Sequence, residues 1–459
     1  MDEGLRFDAR MSDAEGLMWR LDKDPHLTST IVNLSVLDRA PDFERLKRRM
    51  TRASIAIPRL RQRVQSFPAN IAPPMWVLDP DFDIDYHVRR VALPAGGAMR
   101  EALDLATLIA NDPFDRTRPL WQFTVIENID AGDGHRIAML VEKLHHTIAD
   151  GEGSVQLSLE FFDFARDAPE PDPLDPEILG HHANPVADID VWKELLAGPL
   201  KFPLAIARQI KELVLDPASG LQSLGSVTET ANMMTDMDRA RSPLWTERSL
   251  RRRIEITSVD FLTARNRARE WGGTLNTLLL TAAADAAGAY HRELGSPVDE
   301  LRASMAISTR ATDANGTNAF SLARMLVPTG EMTAHDRFAA VHDIQREAAS
   351  GGAVKAVSAV SAMAAAVPTA ILTRMARMQA QTVDFATSNV KGTPLPVYVA
   401  GSEILANHPV GPIGGVAFNL TLLSHVGSLD MGINIDAGAV TRPELLRECL
   451  DESFARLVG

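Results

Sequence analysis

Residues 166–190 read RDAPEPDPLDPEILGHHANPVADID, and this stretch limits the possible folds more than any other feature of the chain. Repeated proline excludes helix interiors and central strands, because its ring removes an amide donor and fixes φ near about −65°. The chain must therefore break here, with patterned sequence on either side. Upstream, STIVNLSVLD, WQFTVIEN and RIAMLVEKL alternate as strands do, while PDFERLKRRMTRASI and REALDLATLIAND carry the three-to-four spacing of helices. Downstream the alternation resumes, with RRRIEITSVD, RASMAIST and ARMLVPT as strands and FLTARNRAREW and TLNTLLLTAAADAAGAYHREL as helices. A long Ala-rich helix follows, then a hairpin around Gly427 in GVAFNLTLLSHVGSLDMGINID, then a closing helix. At 459 residues the chain exceeds what one hydrophobic core usually serves. The expectation is an N-terminal α/β domain over 1–180, crossover helices over 181–245 and a C-terminal α/β domain over 246–459, without an internal repeat.

Charge and composition narrow the function classes. Asp plus Glu number 60 against 47 Lys plus Arg, a formal charge of −13 that repels polyphosphate backbones and excludes nucleic acid as an expected partner. The single cysteine, Cys449, allows no internal disulfide or thiolate cluster, and ELLRECLDESF offers it no neighbouring base. The opening residues MDEGLRFDARMSDAEGLMW are acidic and lack the apolar core of a signal peptide, so a cytoplasmic location is expected. The uncharged run from Ala356 to Thr373 has the length of a membrane span, but Ala and Ser dominate it and Pro368 interrupts it. A buried or interdomain helix is expected there. The basic run of Arg45, Lys47, Arg48, Arg49, Arg52, Arg59, Arg61 and Arg63 reads either as a solvated helix face or as an attractor of anionic headgroups and phosphates. His181 and His182, in the proline-rich loop, read as solvated.

The chemistry concentrates in EKLHHTIADGEG, residues 142–153, which follows the strand RIAMLVEK and precedes the helical pattern GSVQLSLEFFDFA. Such strand-to-helix loops hold side chains accessible on a fixed backbone. Adjacent histidines do not share a helix face, so they make a poor metal site, and no third ligand lies nearby. One histidine capping a turn and the other filling a gap is a structural alternative that leaves Asp150 and Gly151 unexplained. A catalytic reading uses all four residues: a neutral imidazole takes a proton from a weak nucleophile near neutral pH, an aspartate locks the loop against an arginine, and a glycine lets substrate approach the backbone.

HHTIADG matches the H-H-x-x-x-D-G signature of CoA-dependent acyltransferases and peptide condensation domains. TRPLW at 117–121, TSNVKGTPLPVYVAG, PPMWVLDPDFDIDYHVRR, SMAISTR and FNLTLLSHVGSLDMGINID narrow the match, and the chain resembles the bacterial wax ester synthase/diacylglycerol acyltransferase family over almost its whole length. The resemblance implies two chloramphenicol-acetyltransferase-like domains with mixed sheets and flanking helices, joined by a crossover linker, and a tunnel between them. It implies transfer of a fatty acyl group from acyl-CoA to the hydroxyl of diacylglycerol or a long-chain alcohol, with acyl-CoA as substrate and no cofactor or metal. The same fold also admits another hydroxyl or amine acceptor, a carrier-bound donor, or a lipid-binding protein with a decayed site. His146 would be the general base and His145 its support. Asp150 would make a structural ion pair with Arg61 or Arg310, and Gly151 would keep the tunnel open. Pro119, Leu120 and Trp121 would either wall the acyl tunnel or pack the domain, and Asn389 and Gly392 would form a turn near the meeting of the halves, where an amide can polarise a carbonyl. The family usually has Asn-Asp where this chain has Asn276-Thr277. That departure implies a rearranged brace, a shifted preference or lower activity. Peripheral association with a membrane or lipid body is a further expectation from the family.

Overall fold

The structure, a computed structural model, describes residues 9–67, 74–132, 134–148, 160–174, 241–308, 320–350 and 369–459. Its first half runs α1 (Asp13–Leu21), β1 (Thr30–Leu37), α2 (Phe43–Ala56), β2 (Gln62–Gln65), β3 (Met75–Leu78), α3 (Ile84–His87), β4 (Val88–Ala98), α4 (Met99–Asn111), β5 (Trp121–Asp130) and β6 (Arg136–His145). The second runs β7 (Arg252–Asp260), α5 (Phe261–Glu270), α6 (Leu275–Glu293), β8 (Glu300–Ser308), β9 (Phe320–Pro328), α7 (Ala334–Ser350), α8 (Thr369–Ala380), β10 (Phe385–Val390), β11 (Tyr398–Val399), β12 (Ser402–Val410), β13 (Phe418–His425), β14 (Ser428–Asp436) and α9 (Pro443–Val458). Where they fall within the described residues, the strands and most helices expected from periodicity appear within a few residues of the bounds read from sequence; the helix expected over 153–165 lies outside them up to 159 and has ended by 162. Apart from residues 241–245, the expected linker lies outside the described residues, as do His181 and His182.

Two six-stranded mixed sheets carry the fold, in the orders β11-β12-β1-β6-β5-β4 and β7-β14-β13-β10-β8-β9, and β2 and β3 form a small ribbon. The first sheet departs from the expected division of the chain at 246. β12 belongs to the C-terminal half yet pairs antiparallel with β1, placing Asn407 opposite Ser35 and Val410 opposite Val32. It also ties back to the second sheet, since the Asn407 N–H donates to Asp430 Oδ2 at 2.7 Å and the ring of His408 contacts the Met431 carbonyl at 3.1 Å. A C-terminal domain of unbroken sequence therefore does not describe the sheets, because β11 and β12 complete the N-terminal one.

β6 lies inside the first sheet, and every residue from Ile137 to His145 is buried because both faces are covered. On one face Leu140 and Leu144 join Leu46, Met50 and Trp121 under α2. On the other, Met139 and Val141 pack with Leu103 and Ala106 of α4 and with Ile254 and Val410 from the second half. Each large apolar side chain so buried contributes about 1.5–3 kcal/mol, so the seam between the halves is part of the core. Arg100 clamps its rim through Glu255 at 2.7 Å and the Ile254 carbonyl at 3.0 Å. The hairpin around Gly427 is present, with Val426 and Gly427 at φ 41° and 82°. Among the described residues no helix is long and apolar enough to cross a membrane. Most of the run from Ala356 to Thr373 lies outside those residues, and its last five begin α8.

Candidate active site

The histidine pair terminates β6. The His145 N–H donates to the Leu120 carbonyl at 3.0 Å, the His146 N–H to the Ser29 carbonyl at 2.9 Å, and the Ile148 N–H returns to the His145 carbonyl at 2.9 Å. The backbone thus turns at the point where the ladder ends. The His145 ring is fully buried. Its Nδ1 accepts the Thr147 N–H at 3.2 Å and lies 2.7 Å from the Thr147 hydroxyl, which leaves the proton of the neutral ring on Nε2. Nε2 faces Asp22 Oδ1 at 3.6 Å, and Asp22 also receives the Ser29 N–H at 3.1 Å and Arg116 at 3.3 Å. The expected supporting role of His145 thereby acquires a geometry: the ring bonds the turn and faces the end of α1. Only Nδ1 makes a hydrogen bond; Nε2 is buried beyond hydrogen-bond distance of Asp22, and among the described residues no group of three or more His, Cys, Asp or Glu gathers.

His146 is half-buried, with Nδ1 shielded from solvent. Ser29, whose carbonyl holds it, lies between Thr28 and Thr30, which line a void at the seam together with Arg252, Ile254, Val410 and Asn434. The void measures about 20 Å³, enough for one water and far too small for an acyl chain. Asp150, Gly151 and Arg310 lie outside the described residues, so the pairing expected for Asp150 does too. Arg61 donates to Ser54 Oγ at 3.0 Å and stacks over Phe82 at 4.5 Å, and burial lowers its pKa.

Pro119, Leu120 and Trp121 are core residues. Trp121 is 1% exposed and Leu120 fully buried, as the packing alternative expects. Packing is their work: the Trp121 Nε1–H donates to the Leu60 carbonyl at 2.8 Å, its ring stacks on His87 at 4.5 Å, and the Leu120 carbonyl holds His145. His87 hydrogen-bonds the Trp121 carbonyl at 2.7 Å, and burial pulls its pKa down to about 4. These contacts fix the end of β6 from below.

Asn389 is the penultimate residue of β10 and not part of a turn, a correction that follows from its place opposite Leu422 in the parallel ladder with β13. Its Nδ2 donates to Asn276 Oδ1 at 2.7 Å. Gly392 does follow the strand end, and a Cβ there would stand 2.0 Å from the Ser424 carbonyl oxygen, which only glycine tolerates. Thr277 accounts for itself. Its N–H is capped by Thr274 at 3.2 Å, and its hydroxyl donates to Gln345 Oε1 at 2.8 Å, joining α6 to α7. Gln345 in turn donates to the Asn276 carbonyl at 3.3 Å. A neutral brace stands where an acid was expected.

Most of the basic run is engaged inside the molecule. Arg45 and Arg49 grip Asp163 at 3.0 and 2.8 Å, Arg52 grips Glu160 at 2.6 Å, Arg48 pairs with Glu170 and Lys47 with Asp85. Arg59 stacks over Trp76 at 4.1 Å. The helix thus clasps residues 160–172 through Arg45, Arg49 and Arg52, while the Arg48–Glu170 pair stays exposed to solvent, as the solvated-face alternative expects. Sequence reading missed Asp22, Ser29, Thr147 and Gln345, whose partners are distant in the chain or whose hydroxyls carry no pattern. It also missed Glu142, whose carboxyl is fully buried and whose pKa desolvation raises to about 7 against the Ser35 hydrogen bond, and Lys143, lowered to about 8 by burial.

Residues 11–279 match the wax ester synthase/diacylglycerol acyltransferase catalytic domain, and residues 316–458 match the C-terminal domain of the same family. A putative diacylglycerol O-acyltransferase of Mycobacterium tuberculosis is 30% identical, with 100% of this chain and 93% of the relative covered. Among solved structures, the wax ester synthase/diacylglycerol acyltransferase from Marinobacter aquaeolei VT8 superposes with a TM-score of 0.66 at 19% identity, over 98% of each chain. The trichothecene 15-O-acetyltransferase TRI3 of Fusarium sporotrichioides gives 0.59 at 10% identity, over 98% of this chain and 94% of that one. The two-sheet fold is thus shared with these two structures, and the chain belongs to the wax ester synthase/diacylglycerol acyltransferase family.

Proposed function

We propose that the protein transfers a fatty acyl group from acyl-CoA to the hydroxyl of diacylglycerol or a long-chain alcohol, with His146 as general base. The observation that supports the reading is the turn at the end of β6, where His145 is buried with its Nδ1 on Thr147 while His146, next to it, is half-buried with its backbone N–H on the Ser29 carbonyl. A base of this kind contributes about 10²–10⁴-fold to rate. His146 takes the proton of the acceptor hydroxyl as its oxygen attacks the thioester carbonyl. The tetrahedral adduct then collapses to the ester, and the proton passes from His146 to the departing CoA sulfur. No covalent acyl-enzyme is required.

The Thr277–Gln345 brace supports an intact site, since among the described residues the departure from the family's acid leaves neither Thr277 nor Gln345 without a hydrogen bond. Release of free CoA from long-chain acyl-CoA, with diacylglycerol or hexadecanol as acceptor, tests the proposal. The wild type is expected to turn over and His146→Ala to lose about 10²-fold or more. Turnover surviving the substitution defeats the base assignment, and product analysis by mass spectrometry identifies the acceptor.

A further inference from the structure

α5 carries Arg265 and Arg269 one helical turn apart on the same face. Like charges at this spacing repel by a few tenths of a kcal/mol. Arg267, between them in sequence, is paired with Glu270 at 3.0 Å, whereas among the described residues neither Arg265 nor Arg269 has a carboxylate partner. Among the described residues, surface arginines such as Arg100, Arg116 and Arg253 close ion pairs. Favourable placement near a helix C-terminus accounts for Arg269 but not for Arg265, which sits mid-helix.

Both arginines line a pocket of about 300 Å³ whose other walls are Ala268, Gly273, Thr274, Leu275, Asn276 and Asn389. The pocket lies beside the carboxyl end of β10, which runs parallel to both β8 and β13. Such strand ends are where α/β sheets receive ligands. Guanidinium groups are suited to phosphate because their planar fork donates two hydrogen bonds at once.

We infer that Arg265 and Arg269 bind the phosphate-bearing end of the acyl donor. The inference rests on the acyl-CoA reading above and adds to it the place where the anionic part of that substrate is held. A cationic pair without carboxylate partners among the described residues stands beside a pocket large enough for a diphosphate, in a chain of net charge −13.

The test uses the full chain and the double variant Arg265→Ala/Arg269→Ala, with CoA, acyl-CoA and the phosphate-free acyl-pantetheine. Calorimetry is expected to show CoA binding weakened roughly tenfold to a hundredfold. The KM for acyl-CoA rises in parallel while kcat holds, and turnover of acyl-pantetheine is unchanged, which also reports an intact fold. Unchanged CoA affinity alongside continuing turnover overturns the phosphate site and leaves the acyltransferase reading standing. Absence of CoA binding and turnover in the wild type overturns both. A third arm measures flotation with phosphatidylglycerol vesicles: loss of vesicle binding in the variant with CoA affinity intact assigns the arginines to a lipid headgroup and overturns the inference.

Discussion

Glu142 supplies the sharpest quantitative test, because its carboxyl is fully buried four residues before His146 and is held at a pKa of about 7 by desolvation. Ser35 Oγ lies 2.9 Å from Glu142 Oε1 and 3.2 Å from Asn407 Oδ1, yet the hydroxyl has one proton to give. With Glu142 protonated, the carboxyl donates to Ser35 and Ser35 donates to Asn407, while the Asn33 amide also hydrogen-bonds Ser35 and the carboxyl. Ionisation takes the serine proton for the carboxylate and leaves the Asn407 oxygen unmet. The folded pKa is therefore above the unfolded value of 4.5, so this group's contribution to stability is fully present below pH 4.5 and is lost as pH rises through 7. At about 1.36 kcal/mol per pKa unit, the loss between pH 5 and pH 8 amounts to roughly 2.5 kcal/mol. Glu142→Gln preserves the shape and removes the titration. Urea unfolding at the two pH values should show the wild type losing about 2.5 kcal/mol more than the variant. Parallel pH profiles, agreeing within about 0.5 kcal/mol, would refute the buried neutral carboxyl and the network drawn around it.

Two further substitutions probe the frame around the site. Asp163→Ala leaves Arg45 and Arg49 facing a buried void with carbonyl partners only, and should cost about 3 kcal/mol in chemical denaturation; a loss below about 1 kcal/mol would show the clasp to be decorative. Trp121→Phe removes the donor to the Leu60 carbonyl and should lower stability by about 1–2 kcal/mol while the KM for acyl-CoA stays put, whereas a raised KM at unchanged stability would return Trp121 to a tunnel wall.

Some of this protein was legible from local pattern. Periodicity located β1, β5, β6, α2, α4, α6 and the hairpin at Gly427, α2 and α4 through an apolar stripe and the buried β6 through its run of apolar residues, and proline marked the break between the halves. HHTIADG, with the accompanying motifs, pointed to the family that the domain matches show. The roles of Asn389 and Trp121 were less legible, since an amide at a strand end and an indole in a core look alike in sequence whether they meet a substrate or a neighbouring side chain.

Sequence alone determined the α/β class, the two patterned halves and the histidine turn, all of which follow from the spacing of apolar residues and from backbone preferences of single residues. Only tertiary structure decided that β12 leaves its own half to complete the other sheet, that the arginines of α2 clasp residues 160–172, and that Thr277 braces α7 through Gln345. Those outcomes depend on partners up to several hundred residues away, and the free energy of a hydrogen bond or ion pair is set by the burial and geometry at the meeting point, which no local window of sequence contains.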